Sequence, residues 1–483
     1  MVKESPRGVI GAITKFQLSG AYPVVFALLC AISSLAEKNI YFPVFCLLAA
    51  LVLFSAIFVK DNKVLIPPIL MMYYALGTDT YNAFIVSDGS TFAAFDSDSL
   101  TMVIAVAAVL GVALVVRFIL DGTFKYALTH RSMIFWGVVA LDCAFLLNGA
   151  FSPFWTWECL AYGAIMAAGL SVSYLVLFPI IDRSDKEIID YTCRSAVAMS
   201  YVILIQVVVI SVIAYQYDSL VRYDTIAESW MVCRTIFHRS WGIATIVGGA
   251  VVLGIPAALK LAHSKRFPIF HYISAILFFL VACLVNTRSA MLFGALTLLA
   301  GIILICFSGK NRKINLIFTC SLICLAVTAA CVIIIKLNDA GTLEYYFTKT
   351  LSFFRLNVSG ERLDIYEKGW QDVSNSFIFG EGVSKGGFTT AAENTNAFGR
   401  MYHNILLQFA ASMGLLGIFA FLFHIKDYFL LGIKKINVAR ILLLSLPLMI
   451  ICMSLFDNFF FYPNFQIFYV AFFALAQKDF ETT

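Results

Sequence analysis

Charge is what this sequence has least of. Only 13% of its 483 residues are Asp, Glu, Lys or Arg, 61% are hydrophobic, and the mean hydropathy is +0.88. Soluble domains carry about 25% charge and roughly 45–50% apolar residues. A folded chain of this length cannot hide so much apolar surface from water, which excludes a soluble globular enzyme. With 45 Phe and 21 Tyr, disorder is excluded too. The alternating segments of about ten residues that build an outer-membrane barrel are also missing, since the apolar runs are long and continuous. There is no CxxC pair, and nearly all of the twelve Cys lie in or beside apolar runs, Cys233 apart. Neither a disulfide framework nor structural zinc is expected. Short solenoid repeats and inverted transporter-type repeats are absent as well. What remains is an all-α fold, a polytopic transmembrane helical bundle.

A span needs roughly 20 mainly apolar residues. The hydropathy predicts about fourteen, near 20–36, 41–59, 64–86, 101–120, 132–151, 157–181, 195–215, 241–260, 268–286, 289–307, 314–336, 403–424, 441–457 and 463–477. Pro67, Pro68 and Asp79 interrupt the third. The basic residues supply an independent check. With the N-terminus inside, alternate connections hold 21 of the 34 Lys and Arg, from Lys3 to Lys478, whereas the short outer loops hold almost none besides Lys38. Both termini are therefore expected in the cytoplasm, and the first span reads as retained rather than cleaved. The net charge of +5 mostly restates this bias and implies no nucleic-acid partner. The chain divides into N-terminal helices (1–235), a second set of helices (236–336), a large, partly helical extracytoplasmic loop (337–402) and C-terminal helices (403–483).

The other basic residues gather in three outer places: the loop 216–240 with Arg222, Arg234 and Arg239, the turn Asn286-Thr287-Arg288-Ser289, and the long loop. Loops of such length are usually functional or disordered. Arg288 is either a snorkelling side chain or a fixed cation for an anionic substrate, for which the guanidinium fork is suited. After Ser359, a good N-cap, Leu363, Tyr366, Trp370 and Val373 make one apolar stripe, which predicts an amphipathic helix on the outer membrane face with Arg362 in its first turn. Arg362 can serve an anion there, or pair with Glu361 or Tyr366. His403 and Asn404 open the next span where a titratable group meets water. The small residues after them, Gly414 and Gly417 included, are expected to serve helix packing alone. The glycine-rich stretch 380–387 is no P-loop and reads as a flexible segment, a candidate gate. Asp457 and Asn458, near an outer helix end, are either solvated caps or site residues. Asp142 lies in mid-span and needs a partner.

Taken in order, these residues resemble a known family. His403-Asn404, nine residues, then Gly414-Leu415-Leu416-Gly417 is similar to the HN-x9-GxxG signature of the O-antigen ligase and polymerase superfamily. Thr287-Arg288-Ser289-Ala290 resembles the family's TxSRG turn, with Thr-Arg-Ser in place of Ser-Arg-Gly. Ser359-Gly360-Glu361-Arg362 through Trp370 is similar to its "SGR then aromatic" segment with Glu361 inserted, and Phe379-Gly380-Glu381-Gly382 to its FGxG end. Arg239-Ser240-Trp241-Gly242 resembles the earlier RxxG element without the Pro-Asn that often follows. The agreement covers roughly 235–477.

The resemblance implies a multi-span glycosyltransferase of the C type that needs no metal or nucleotide cofactor. Its donor would be a glycan on undecaprenyl diphosphate at the outer leaflet of the bacterial inner membrane. Arg288 and Arg362 would clamp the diphosphate and stabilise charge as the glycosidic bond breaks. His403 would orient or deprotonate the acceptor hydroxyl. Arg239, Asn404, Tyr366, Trp370 and Asp457 would contribute to substrate binding. The expected activity is polymerisation of repeat units into O-antigen, capsule or a related polysaccharide. Ligation to lipid A core or another acceptor is the alternative within the class, and a lipid-linked glycan flippase the alternative outside it. A chain-length regulator and a flippase of the same pathway are the implied protein partners.

Overall fold

A computed structural model describes residues 8–36, 38–76, 97–153, 155–216, 244–264, 268–285, 287–307, 360–383, 402–434 and 437–482, with isolated positions between 313 and 335. Among these the chain is all-helical. The helices are α1 (Val9–Leu18), α2 (Tyr22–Leu35), α3 (Lys38–Phe58), α4 (Ile66–Met71), α5 (Ser97–Leu120), α6 (Thr123–Thr129), α7 (Phe135–Leu146), α8 (Trp157–Arg183) and α9 (Glu187–Gln216). They continue with α10 (Ala244–Val252), α11 (Gly254–Ser264), α12 (Ile269–Val285), α13 (Arg288–Phe307), α14 (Gly360–Asn375), α15 (Ile405–Ile433), α16 (Val438–Ser454) and α17 (Pro463–Thr482).

Among the described residues, seven helices are long and apolar enough to cross a membrane, or eight if α1 and α2, bent by 91°, form one span. The shorter apolar helices are α7, α12 and α16. The expected count of about fourteen is not confirmed among these residues. The span at 64–86 is not one helix: Pro67 and Pro68 start the six-residue α4, flanked by 3-10 turns at Asn62–Leu65 and Met72–Ala75. Proline has no N–H to give to a continuing helix and is best accommodated in a first turn, where that group would be unpaired anyway. Residues 77–86 and nearly all of 314–336 lie outside the described residues. The 241–260 span is divided at Leu253 into α10 and α11.

The core lies around α9, α11 and α17. In α17 the run from Phe468 to Ala476 is buried throughout, and so is Ile255–Ala262 of α11. By contrast α5 is mostly exposed, as suits a peripheral helix against lipid. Glycines let neighbouring backbones close up: a side chain at Gly163 of α8 would overlap the Phe145 carbonyl of α7.

Basic residues converge on one end of the bundle. Arg117 donates to the carbonyls of Val59 and Lys60 at 2.8 and 2.9 Å, and Arg183 to that of Asp121 at 3.3 Å. Lys478 donates to the Asp182 carbonyl at 2.6 Å, and buried Arg440 faces Asp479 at 3.4 Å. Lys260 pairs with Asp190 at 2.7 Å. These contacts tie the ends of α3, α5, α8 and α17 to one another, the end of α11 to the start of α9, and the end of α17 to the start of α16. The mid-span Asp142 has its partner in the hydroxyl of Ser171 on α8.

Candidate functional site

The other end of the bundle holds the start of α15 and the end of α16. Asn404 is the N-cap of α15, its side-chain oxygen accepting from the N–H groups of Leu406 and Leu407 at 3.0 and 3.1 Å. Its amide donates to the Leu455 carbonyl at 3.1 Å, which ties this cap to the end of α16. His403 precedes the cap at φ 52, a left-handed conformation uncommon for any residue but glycine. That turn sets its Nδ1 3.1 Å from Oδ1 of Asp457, and the imidazole stays partly exposed. Asp457 is thereby a partner of His403 rather than a solvated cap. The same oxygen accepts from the Asn458 N–H at 3.0 Å, which fixes its position against the imidazole.

Behind this pair runs a polar row that the sequence reading missed. Asn404, Gln408 and Ser412 share one face of α15 at i, i+4 and i+8, a visible signal in so apolar a helix. Gln408 donates to Ser412 at 2.8 Å, and its side-chain oxygen accepts from the Tyr402 N–H at 3.0 Å and the Asn458 amide at 3.4 Å. The Tyr402 hydroxyl donates to buried Asp372 of α14 at 2.6 Å. The helix α14 is therefore fastened to the residue next to His403.

The face that α14 turns to α15 differs from the expected stripe. Ile365, Tyr366 and Val373 pack against Tyr402, Leu407 and Ala411, with Gly369 between them against Leu407. Trp370 is 63% exposed instead. The contact face follows the close approach at Gly369, which rotates Trp370 outward to line an apolar groove beside α15 with Tyr366. Arg362 lies in α14, but its side chain falls outside the described residues, as does Arg239 altogether.

Arg288 is the first residue of α13 and is exposed. A chain of close contacts connects its turn to the His403 pair. Thr287 is buried against Gly248 of α10, the next residue Gly249 lies against the Phe459 ring, and Phe459 follows Asp457 and Asn458 in sequence. The Phe293 ring of α13 meets Phe456 with centroids 5.8 Å apart. The structure thus brings together His403, Asn404 and Asp457, sets Tyr366 and Trp370 beside Asn404, and ties the Arg288 turn to the same end.

The glycines do more than permit packing. Gly414 has φ 64 and ψ −153 and breaks α15. Such a break frees backbone groups that hydrocarbon cannot satisfy. Segment 377–382 satisfies them: the carbonyls of Ala411 and Ser412 accept from the N–H groups of Glu381 and Gly382 at 2.8 and 3.1 Å. In return Leu415 and Leu416 donate to the carbonyls of Phe377 and Ile378 at 2.9 and 3.2 Å. Residues 380–383 are buried and bound, Val383 N–H donating to Asn148 at 3.0 Å. This part of the glycine-rich stretch is a clamp and not a gate, while 384–387 lie outside the described residues.

The fold and this end of it define a polytopic helical membrane protein with a histidine–carboxylate pair set at one rim of the bundle. Residues 273–422, from α12 into α15 and including Arg288 and His403, match the family model described as O-antigen ligase. The likeness to that family rests on this stretch of the chain. No curated protein matches it.

Proposed function

We propose that the protein is a glycosyltransferase that polymerises undecaprenyl-diphosphate-linked oligosaccharide repeat units into a surface polysaccharide such as O-antigen or capsule. It acts at the extracytoplasmic face of the bacterial inner membrane, both termini being cytoplasmic. The His403–Asp457 pair carries the reading: a partly exposed imidazole held at 3.1 Å by a carboxylate, at the end of the bundle away from the basic residues. Because Asp457 engages Nδ1, the Nε2 atom is left to accept the proton of an acceptor hydroxyl. The acceptor oxygen forms the new glycosidic bond as the bond from sugar to diphosphate breaks. The lipid diphosphate leaves with the electron pair. Arg288, at a helix start where the helix dipole favours an anion, stabilises that charge, and Arg362 is its proposed second cation. With a donor already activated by its leaving group, positioning and charge stabilisation supply most of the rate.

Transfer to lipid A core or another acceptor is the second reading, favoured by the ligase description of the matching family. A flippase would call for charged groups at mid-membrane in paired halves. The mid-span acid Asp142 is instead bonded to Ser171. The decisive experiment gives purified protein an undecaprenyl-diphosphate oligosaccharide and separates the products by size. A ladder supports polymerisation, a single transfer to a foreign acceptor supports ligation, and translocation without new bonds supports a flippase. Full activity in both His403→Ala and Arg288→Ala would refute the assigned roles.

A further inference from the structure

We infer that Gln408 is the positioning residue of the His403–Asp457 pair, its buried side-chain oxygen fixing how the two residues meet. The inference rests on the glycosyl-transfer reading and adds a residue to its machinery. Segments 402–404 and 455–458 are laced together three times, in antiparallel order. The Asn404 amide donates to the Leu455 carbonyl at 3.1 Å. Next comes His403 against Asp457, also at 3.1 Å. The third tie, between Tyr402 and Asn458, runs through Gln408, whose Oε1 accepts from the Tyr402 N–H at 3.0 Å and from the Asn458 amide at 3.4 Å. The pair is the middle rung, and a single atom supplies the rung beside it.

The pair cannot hold these segments by itself. Its imidazole and carboxylate are 37% and 17% exposed, and a hydrogen bond formed in competition with water contributes only about 0.5–1.5 kcal/mol. Tyr402, Gln408 and Asn458 are buried instead. A donor that loses its acceptor there stays unpaired at a cost of about 1–3 kcal/mol. The Gln408 bond also falls beside a strained residue. His403 has φ 52, and such a conformation persists only where its surroundings hold it. Asn404, as the helix cap, holds the backbone after it, and Gln408 holds the backbone before it. The Tyr402 side chain serves elsewhere, its hydroxyl on Asp372 of α14. The Gln408 amide can face only one way, since turned over its NH2 would meet two donors. Its nitrogen donates to Ser412 at 2.8 Å. With the oxygen removed, both donors turn to find other acceptors, and His403 shifts from Asp457.

Nitrogen NMR of the full-length protein in lipid bilayers, with isotope-labelled histidine and at alkaline pH where imidazole is neutral, tests this. His403→Gln identifies the His403 signal. The wild-type protein is expected to hold His403 in the Nδ1–H tautomer, bonded to Asp457. Gln408→Met keeps the size and loses the acceptor, and the Nε2–H form that free imidazole prefers should then appear. Ser412→Ala removes the other bond of Gln408 and leaves its oxygen in place, so the tautomer should stay as in wild type. Should Gln408→Met fail to fold, Asn458→Ala removes one arm of the bridge and should give the same change. In transfer assays Gln408→Met should lower kcat about 10–100-fold with KM little changed, the effect of misplacing a reacting group. An unchanged tautomer in the folded variant, or an equal change in Ser412→Ala, would overturn the inference. The tautomer is read without sugar transfer. A protein that joins no sugars but shows a Gln408-dependent tautomer keeps the positioning and loses the function, and one that joins sugars with a Gln408-independent tautomer does the reverse.

Discussion

His403 is oriented twice, by its own backbone and by Asp457. A left-handed φ just before a helix cap turns the imidazole away from the axis of α15, and the carboxylate then fixes which nitrogen faces outward. If His403 is the base, His403→Ala lowers kcat by about 10²–10⁴-fold, the usual contribution of a positioned proton acceptor. Asp457→Asn keeps a hydrogen-bonding group of the same shape but favours the wrong tautomer. It should cost roughly tenfold or more in kcat, about 1.4 kcal/mol of barrier, with KM little changed. Single-turnover transfer by each variant checks both. The position of His403 at an aqueous helix end was legible in the sequence. Its partner was not, because Asp457 is 54 residues away and reaches it only where α16 ends beside the start of α15.

At the scale of elements, the interlock of 377–382 with the break in α15 ties α14 and the segment after it to the bundle. Gly414 adopts a conformation that is essentially glycine's alone, and a Cβ there would overlap the Ile378 backbone. Gly414→Ala should cost about 1–3 kcal/mol in strain before the overlap is counted, read as a marked drop in thermal midpoint and yield in detergent. Asn404→Ala removes a cap as well as the bond to Leu455, and a loss of about 0.5–2 kcal/mol is expected on the same measurement. The sequence showed both glycine motifs, but spacing carries no sign that one fills the break in the other. Their meeting depends on backbone hydrogen bonds between segments some 35 residues apart, and no periodicity encodes those. The stripe on α14 failed similarly, since Tyr366 and Val373 pack as the pattern suggests while close approach at Gly369 rotates Trp370 away.

For the whole molecule, the basic end is a structural unit. Arg440 and Asp479 are almost fully buried, and their pairing joins the start of α16 to the end of α17. Asp479→Ala takes the carboxylate from a buried guanidinium and should cost roughly 3–5 kcal/mol, measured as thermal stability in detergent. Orientation can be tested directly in a background lacking the native cysteines. With the basic end in the cytoplasm, a membrane-impermeant maleimide on intact cells should label Trp157→Cys, at the far end, and leave Lys125→Cys unreacted. The opposite pattern would reverse the assigned sides.

The amino-acid sequence alone determined the solvent of this protein, the bias of its Lys and Arg and the positions of its short motifs. These follow from properties that act residue by residue: hydrocarbon penalises each polar group locally, and a motif is a run of neighbours. Only the tertiary structure decided which distant residues meet. His403 with Asp457, Gly414 with Ile378 and Arg440 with Asp479 each join segments that are remote in the chain. Such pairs arise when apolar helix surfaces pack, and those surfaces look alike in sequence until their shapes and small residues select a neighbour.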